Sequence, residues 1–239
     1  MNSAPESFAP TRWTQVLRAR GETAEARVAL SELCEGYYQP VVHFLQREGR
    51  SKDEARELAQ EFFARVLSGS GFDEADPERG RFRSYLLGVL KHFLADQRKR
   101  ELRLRRGGGI AFASLDINDE ETDSSQVVDT TSLLPDAIFD RQWALAVIDR
   151  AMKVLEQEFA CQGKAEQFSR LKLWLMGEAP SQSQRDAAQQ LGMSEGAVKV
   201  AIHRLRKRFR DAVCAQISQT LRDPSLVDEE LRHLISALS

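Results

Sequence analysis

Residues 183–210, SQRDAAQQLGMSEGAVKVAIHRLRKRFR, decide the fold reading of this chain. Val198, Ala201, Ile202, Leu205 and Phe209 recur at three- and four-residue spacing, while Lys199, His203, Arg206 and Arg210 recur in the same way on the other side. One face of such a helix packs and the other can meet phosphate. Ser183 and Asp186 have the spacing of a capping box, Gly192 suits a left-handed helix end, and Ser194 caps the next helix. Met193 and Val198 stand where a hydrophobic staple closes the entry angle. The predicted unit is a short helix, a turn of about three residues and a second helix, the pattern of a helix-turn-helix whose second helix enters the DNA major groove. The six Lys and Arg from Lys199 to Arg210, with no acid among them, favour DNA over a merely solvated face.

Outward from this unit the chain reads as helical throughout. Its 239 residues, 42% of them apolar, suffice for one or two domains. The net charge of −2 conceals segregation: Arg83 to Arg106 holds eight Lys or Arg against Asp96 and Glu101, and Gly107 to Asp136 holds seven acids and no base. Trp13, Val16 and Leu17 predict a first helix; Ala29, Leu30, Leu33, Tyr37, Val41, Val42 and Leu45 predict one or two more, with Pro40 as a kink. In the next, Asp53 to Leu67, the packing stripe is Ala55, Leu58, Ala59, Phe62 and Val66, with Glu54, Glu57, Gln60, Glu61 and Arg65 outward and Phe63 on the flank. A long helix follows from about Phe82 to Arg105, apolar through Phe82, Leu86, Val89, Leu90 and Phe93, basic in its later turns and ended by Gly107 to Gly109.

The second half starts near Ile138 with stripes at Trp143, Val147, Met152, Leu155 and Phe159, then at Phe168, Leu171, Leu175 and Met176. A C-terminal helix through Leu226, Leu231, Leu234, Ile235 and Leu238 either covers this half or offers a docking ridge. The expected fold is all-α: two helical domains, 1–106 and 137–215, the second holding the helix-turn-helix, joined by a flexible acidic linker over 107–136, with a helical tail over 216–239.

Chemistry-bearing patterns are sparse. Cys34, Cys161 and Cys214 are odd in number and far apart, which fits a reducing cytoplasm and neither a disulfide framework nor a zinc spacing. The start MNSAPESFAPTRW lacks an export signal's basic and apolar regions, and no stretch approaches the ~18 apolar residues of a membrane span. The four histidines are scattered, and His92 with Asp96 reads as a surface pair rather than half of a metal site. Gly107 to Gly109 lacks the lysine and hydroxyl of a phosphate loop. No catalytic constellation, metal site or cofactor is expected, so the chain is read as a non-enzyme.

The ordered combination DEARELAQEFFARVL, FRSYLLGVLKHFLADQRKR and DAAQQLGMSEGAVKVAIHRLRKR resembles the RNA polymerase sigma factors of the sigma-70 family, extracytoplasmic-function type. The resemblance implies that Glu57, Leu58, Gln60 and Phe63 dock on the clamp of the large subunit of bacterial core polymerase. It implies that the helix from Arg83 to Arg100 faces the minus-10 element, where Tyr85, Lys91, His92, Arg98 and Arg100 supply the cationic, aromatic and polar groups that hold phosphates and unstacked bases. The tryptophan usual near Tyr85 in such factors is absent, and His92 stands where an asparagine is frequent. Lys199, His203 and Arg204 fall where minus-35 contacts are made, with Arg206, Lys207 and the helix start at Ser194 near phosphates. Asp116, Asp119, Glu120, Glu121 and Asp123 lie in what resembles the connector threaded through the polymerase, as nucleic-acid mimics or as a solvated spacer. An anti-sigma or other regulatory protein is a further implied partner. Two other classes remain open: a stand-alone helix-turn-helix regulator binding duplex DNA as a dimer, and a protein-binding adaptor whose basic faces are merely solvated.

Overall fold

A computed structural model describes residues 11–19, 23–68, 81–107, 135–175 and 184–239. The linker acids from Asp116 to Asp129, Ser183 of the expected capping box and Met176 lie outside these residues, as does the Leu17 side chain. The described residues are all-α. The helices are α1 (Arg12–Ala19), α2 (Ala24–Glu35), α3 (Tyr38–Arg47), α4 (Lys52–Leu67), α5 (Phe82–Gly107), α6 (Pro135–Cys161), α7 (Ala165–Leu171), α8 (Gln184–Leu191), α9 (Glu195–Ser218) and α10 (Val227–Leu238).

Local chemistry sets most of the ends. Thr23 accepts a hydrogen bond from Ala26 N–H at 3.1 Å and starts α2. Ser51 and Glu54 form a reciprocal capping box at α4, which begins one residue earlier than the stripe predicts. Pro40 does not kink a helix: it sits in the first turn of α3, where no intrahelical N–H bond is required, so the chain breaks before it, at Gly36–Tyr37. That break is also a close approach, because the Arg150 guanidinium of α6 lies where a Cβ on Gly36 would stand. Ahead of α10 a short 3-10 turn takes up Pro224–Leu226, so the tail is two pieces rather than one helix.

Two apolar cores form, and α6 passes through both. The first combines Trp13, Leu30, Tyr37, Phe44, Phe62, Phe82, Leu86 and Leu90 of α1–α5 with Phe139, Trp143 and Val147 of α6, Val213 and Ile217 of α9, and Leu234 of α10. The second holds Leu155 and Phe159 of α6, Phe168 and Leu171 of α7, Ala187 and Ala188 of α8, and Val198, Ile202 and Leu205 of α9. The start of α6 shares a core with the end of α9, and the end of α6 with the start of α9, so the two helices run antiparallel.

The turn after α9 ties the halves together through backbone donors. The first N–H groups of a helix have no partner within it. Here Trp13 N–H of α1 donates to Gln219 O at 3.1 Å and Phe82 N–H of α5 to Thr220 O at 2.9 Å. The Thr11 hydroxyl donates to Leu221 O at 2.6 Å, and Arg81 and Leu221 form an isolated antiparallel bridge. Leu234 is buried, and Leu226, Leu231 and Leu238 pack partly against the first core, which turns most of the tail's apolar ridge inward.

Candidate nucleic-acid interface

On α8 and α9 the local geometry follows the sequence. The link between them is Gly192–Ser194. Gly192 has φ +61°, in the left-handed region that favours glycine, and closes α8. Ser194 caps α9 by accepting from Ala197 N–H at 3.2 Å. Met193 and Val198 both join the second core, consistent with a staple. With Val198, Ile202 and Leu205 buried, α9 turns Lys199, His203, Arg204 and Lys207 outward, all exposed. Among the described residues none of these four has an ion pair or side-chain hydrogen bond, so each can meet an anion without first leaving a partner. Arg206 differs: its guanidinium donates to Trp174 O at 3.1 Å and 3.4 Å, anchoring α9 to the turn after α7. Arg208, on the other flank, pairs with Glu158 at 2.6 Å and lies over the Phe159 ring at 4.5 Å.

The candidate cations of α5, Lys91, Arg98 and Arg100, are engaged instead. Lys91 pairs with Asp136 at 2.6 Å, Arg98 with Glu48 at 2.5 Å, and Arg100 with Glu61 at 3.4 Å, while Gln97 also donates to Glu61 at 2.7 Å. Phosphate contact by these side chains exchanges one anion for another. Exposed pairs of this kind are worth about 0–1 kcal/mol, so the exchange is cheap. His92 is exposed, and Asp96 pairs with Arg65 at 3.3 Å rather than with it. Tyr85 lies in the first core, 4% exposed, with its ring 5.1 Å from that of Trp13. Burial pushes its hydroxyl above the usual tyrosine range, so the ring is a neutral packing group in this arrangement.

On α4, Glu57 and Gln60 are exposed and Leu58 is half-buried against the first core. Phe63 is 8% exposed, its ring 5.1 Å from Phe62 and 6.0 Å from Tyr38, so little of it is left for a partner. The outward surface of α4 is therefore polar and acidic around Glu57, Gln60 and Glu61.

One cluster escaped sequence reasoning. Arg83, grouped with the DNA-facing residues by its charge, points inward at 7% exposure. Its Nε donates to Glu230 at 3.0 Å and its Nη1 to Asp140 at 2.5 Å, and its Cζ stands 5.0 Å from the Trp143 ring centroid. Burial alone works against the charge, but Glu230 and Asp140 more than offset it and hold the guanidinium above the ordinary arginine pKa. Arg81 reinforces the cluster through Glu229 at 2.5 Å and Glu230 at 3.3 Å, and His233 meets Asp140 at 3.0 Å. The available signal was positional: Arg83 lies seven residues before Leu90 and eleven before Leu94, inside the apolar stripe of α5.

Residues 33–104, from the end of α2 through most of α5, match the family model for Sigma-70 region 2. Sigma-70 region 2 in general binds core polymerase and promoter DNA, and the matched segment supports a role of that kind in transcription initiation by RNA polymerase. No curated protein and no solved structure gives a significant match to the chain. Among the described residues no helix is long and apolar enough to cross a membrane, and no cluster of three metal-ligating side chains occurs.

Proposed function

We propose that the chain is a sigma factor of the extracytoplasmic-function type, which brings core polymerase to specific promoters and helps to open them. The observation that carries this reading is the pairing of a Sigma-70 region 2 match over 33–104 with a second, separate set of uncommitted cations on α9, behind a three-residue turn. In this reading 1–106 is the polymerase and minus-10 unit, 107–136 a connector, 137–215 the minus-35 unit and 216–239 a covering tail. Glu57 and Gln60, with Leu58 and the edge of Phe63, meet the clamp. Lys91, His92, Arg98 and Arg100 track the opened strand, and Tyr85 supports their helix from within. Lys199, His203, Arg204 and Lys207 address the minus-35 duplex, with Arg206 and the Ser194 helix start beside phosphates.

The test is copurification of the full chain with bacterial core polymerase, followed by run-off transcription from linear fragments carrying start sites mapped after overexpression. Both must succeed. Joint replacement Glu57→Ala and Gln60→Ala should weaken core binding about tenfold or more, given roughly 1 kcal/mol per effective contact, without lowering the melting temperature. Tight binding to duplex DNA by a chain that never joins core polymerase would instead establish a stand-alone regulator.

A further inference from the structure

The outward face of α9 has an apolar centre. A helix turns 100° per residue. The side opposite buried Val198, Ile202 and Leu205 is therefore shared by Gly196, Val200, His203, Arg204 and Lys207, with Val200 near the middle, and further along the helix by Asp211. Val200 is 49% exposed, although a branched aliphatic side chain gains nothing from solvent there and is a weaker helix former than the polar residues around it. One turn earlier on the same face, a Cβ added to Gly196 would find nothing within 4 Å, so the approach to Val200 is open. The cations beside it, Lys199, His203, Arg204 and Lys207, carry no ion pair among the described residues. An apolar group bordered by Gly196, Ala197 and Ala201 on one side and by uncommitted cations on the other is complementary to a polyanion that presents an apolar group between its phosphates.

Duplex DNA does this in one way in the major groove, through the thymine C5-methyl, which aliphatic side chains read by contact. Val200 is the sixth residue of α9, within the helix start that reaches base edges when such a helix enters the groove. We propose that Val200 is a base-reading residue that selects thymine at one position of the bound duplex through its 5-methyl group. The inference rests on the DNA-binding reading of α9 and deepens it: His203, Arg204 and Lys207 supply affinity and polar readout around a contact that carries no charge.

The experiment uses duplexes selected from a randomised library by the full chain, alone and in complex with core polymerase. Each thymine of the selected duplex is replaced in turn by deoxyuridine, which lacks only the methyl group. At one position the wild-type chain should lose about fourfold in affinity, the worth of one buried methyl-sized group. Val200→Ala should abolish that single discrimination while leaving the other positions unchanged, and the exposure of Val200 lets the variant fold, as circular dichroism should verify. Equal binding within twofold at every deoxyuridine, or a penalty that survives Val200→Ala, overturns the proposal and leaves DNA binding standing. Failure to select any duplex in either form overturns the DNA-binding reading, and this inference with it.

Discussion

Replacing Arg83 by methionine tests whether the buried cluster holds the two halves of the chain together. Methionine keeps an aliphatic stem of similar volume and removes the cation, so Glu230, 1% exposed, loses its partner at 3.0 Å. It retains Arg81 at 3.3 Å from Oε2, without hydrogen-bond geometry. Asp140 is better placed, since it is 19% exposed and keeps His233 at 3.0 Å. Breaking a buried pair from one side costs about 3–5 kcal/mol because a charge is left uncompensated, and the residual Arg81 contact sets the expectation near the lower end, about 3 kcal/mol. For a chain of this size that is a fall in melting temperature of roughly 6–12 °C.

The assay is urea unfolding followed by tryptophan fluorescence, for which Trp143 beneath the guanidinium is a local reporter. The decisive comparison is the double variant Arg83→Met with Glu230→Leu. Removing both charges eliminates the uncompensated carboxylate, so it should return to within about 1 kcal/mol of the native chain. A loss under about 1 kcal/mol in the single variant would show that the cluster is hydrated and adds little. A double variant as unstable as the single one would show that the loss came from packing on Trp143. Either outcome would refute an electrostatic tie between α5, α6 and α10.

Two further outcomes are expected. Burial pushes the Cys34 thiol up to about 12, so at pH 7.5 a maleimide should label exposed Cys161 in the native chain and reach Cys34 only on unfolding. The same raised pKa favours the folded state fully below about pH 9, and that advantage should be lost as pH climbs from 9 toward 12, because the unfolded chain releases the proton first; stability of a Cys34→Ala variant, measured over this range, should lack that term. Lys207→Ala should lower the slope of log affinity against log salt for the selected duplex by about 0.9, one phosphate's worth, whereas Arg208→Ala, which loses the Glu158 pair and the Phe159 stack, should shift thermal stability more than the slope.

What was legible in the sequence was whatever depends on near neighbours along the chain. Helical periodicity, the Gly192 turn and the Ser194 cap are set within a few residues, and the structure shows them where the pattern places them. An apolar stripe says that a face is buried but not against what. The stripes of α6 and α9 were therefore visible while their division between two cores was not. Charge misled in the same way, because a cation's sign does not fix its direction. Arg83 looked like its basic neighbours on α5, and the acids that draw it inward lie 57 and 147 residues away.

The contrast between the two basic helices follows from the same limit. Their cations are alike in sequence, yet α5 runs beside Glu48 at the end of α3, Glu61 of α4 and Asp136 of α6, which pair with Arg98, Arg100 and Lys91, while among the described residues Lys199, Arg204 and Lys207 have no ion pair, although Glu195 and Asp211 lie one turn from Lys199 and Lys207. Phosphate contact by Lys91, Arg98 and Arg100 replaces existing pairs and adds little net energy, so binding by them depends on whatever else an opened strand offers, such as bases to hold. Contact along α9 adds new charge pairs outright. The difference gives the two faces different salt responses: steeper where cations are uncommitted, shallower where Lys91, Arg98 and Arg100 are already matched by carboxylates. Binding of the full chain to duplex alone should therefore be strongly salt-dependent, and the added affinity gained from single-stranded minus-10 DNA in the polymerase complex should be much less so.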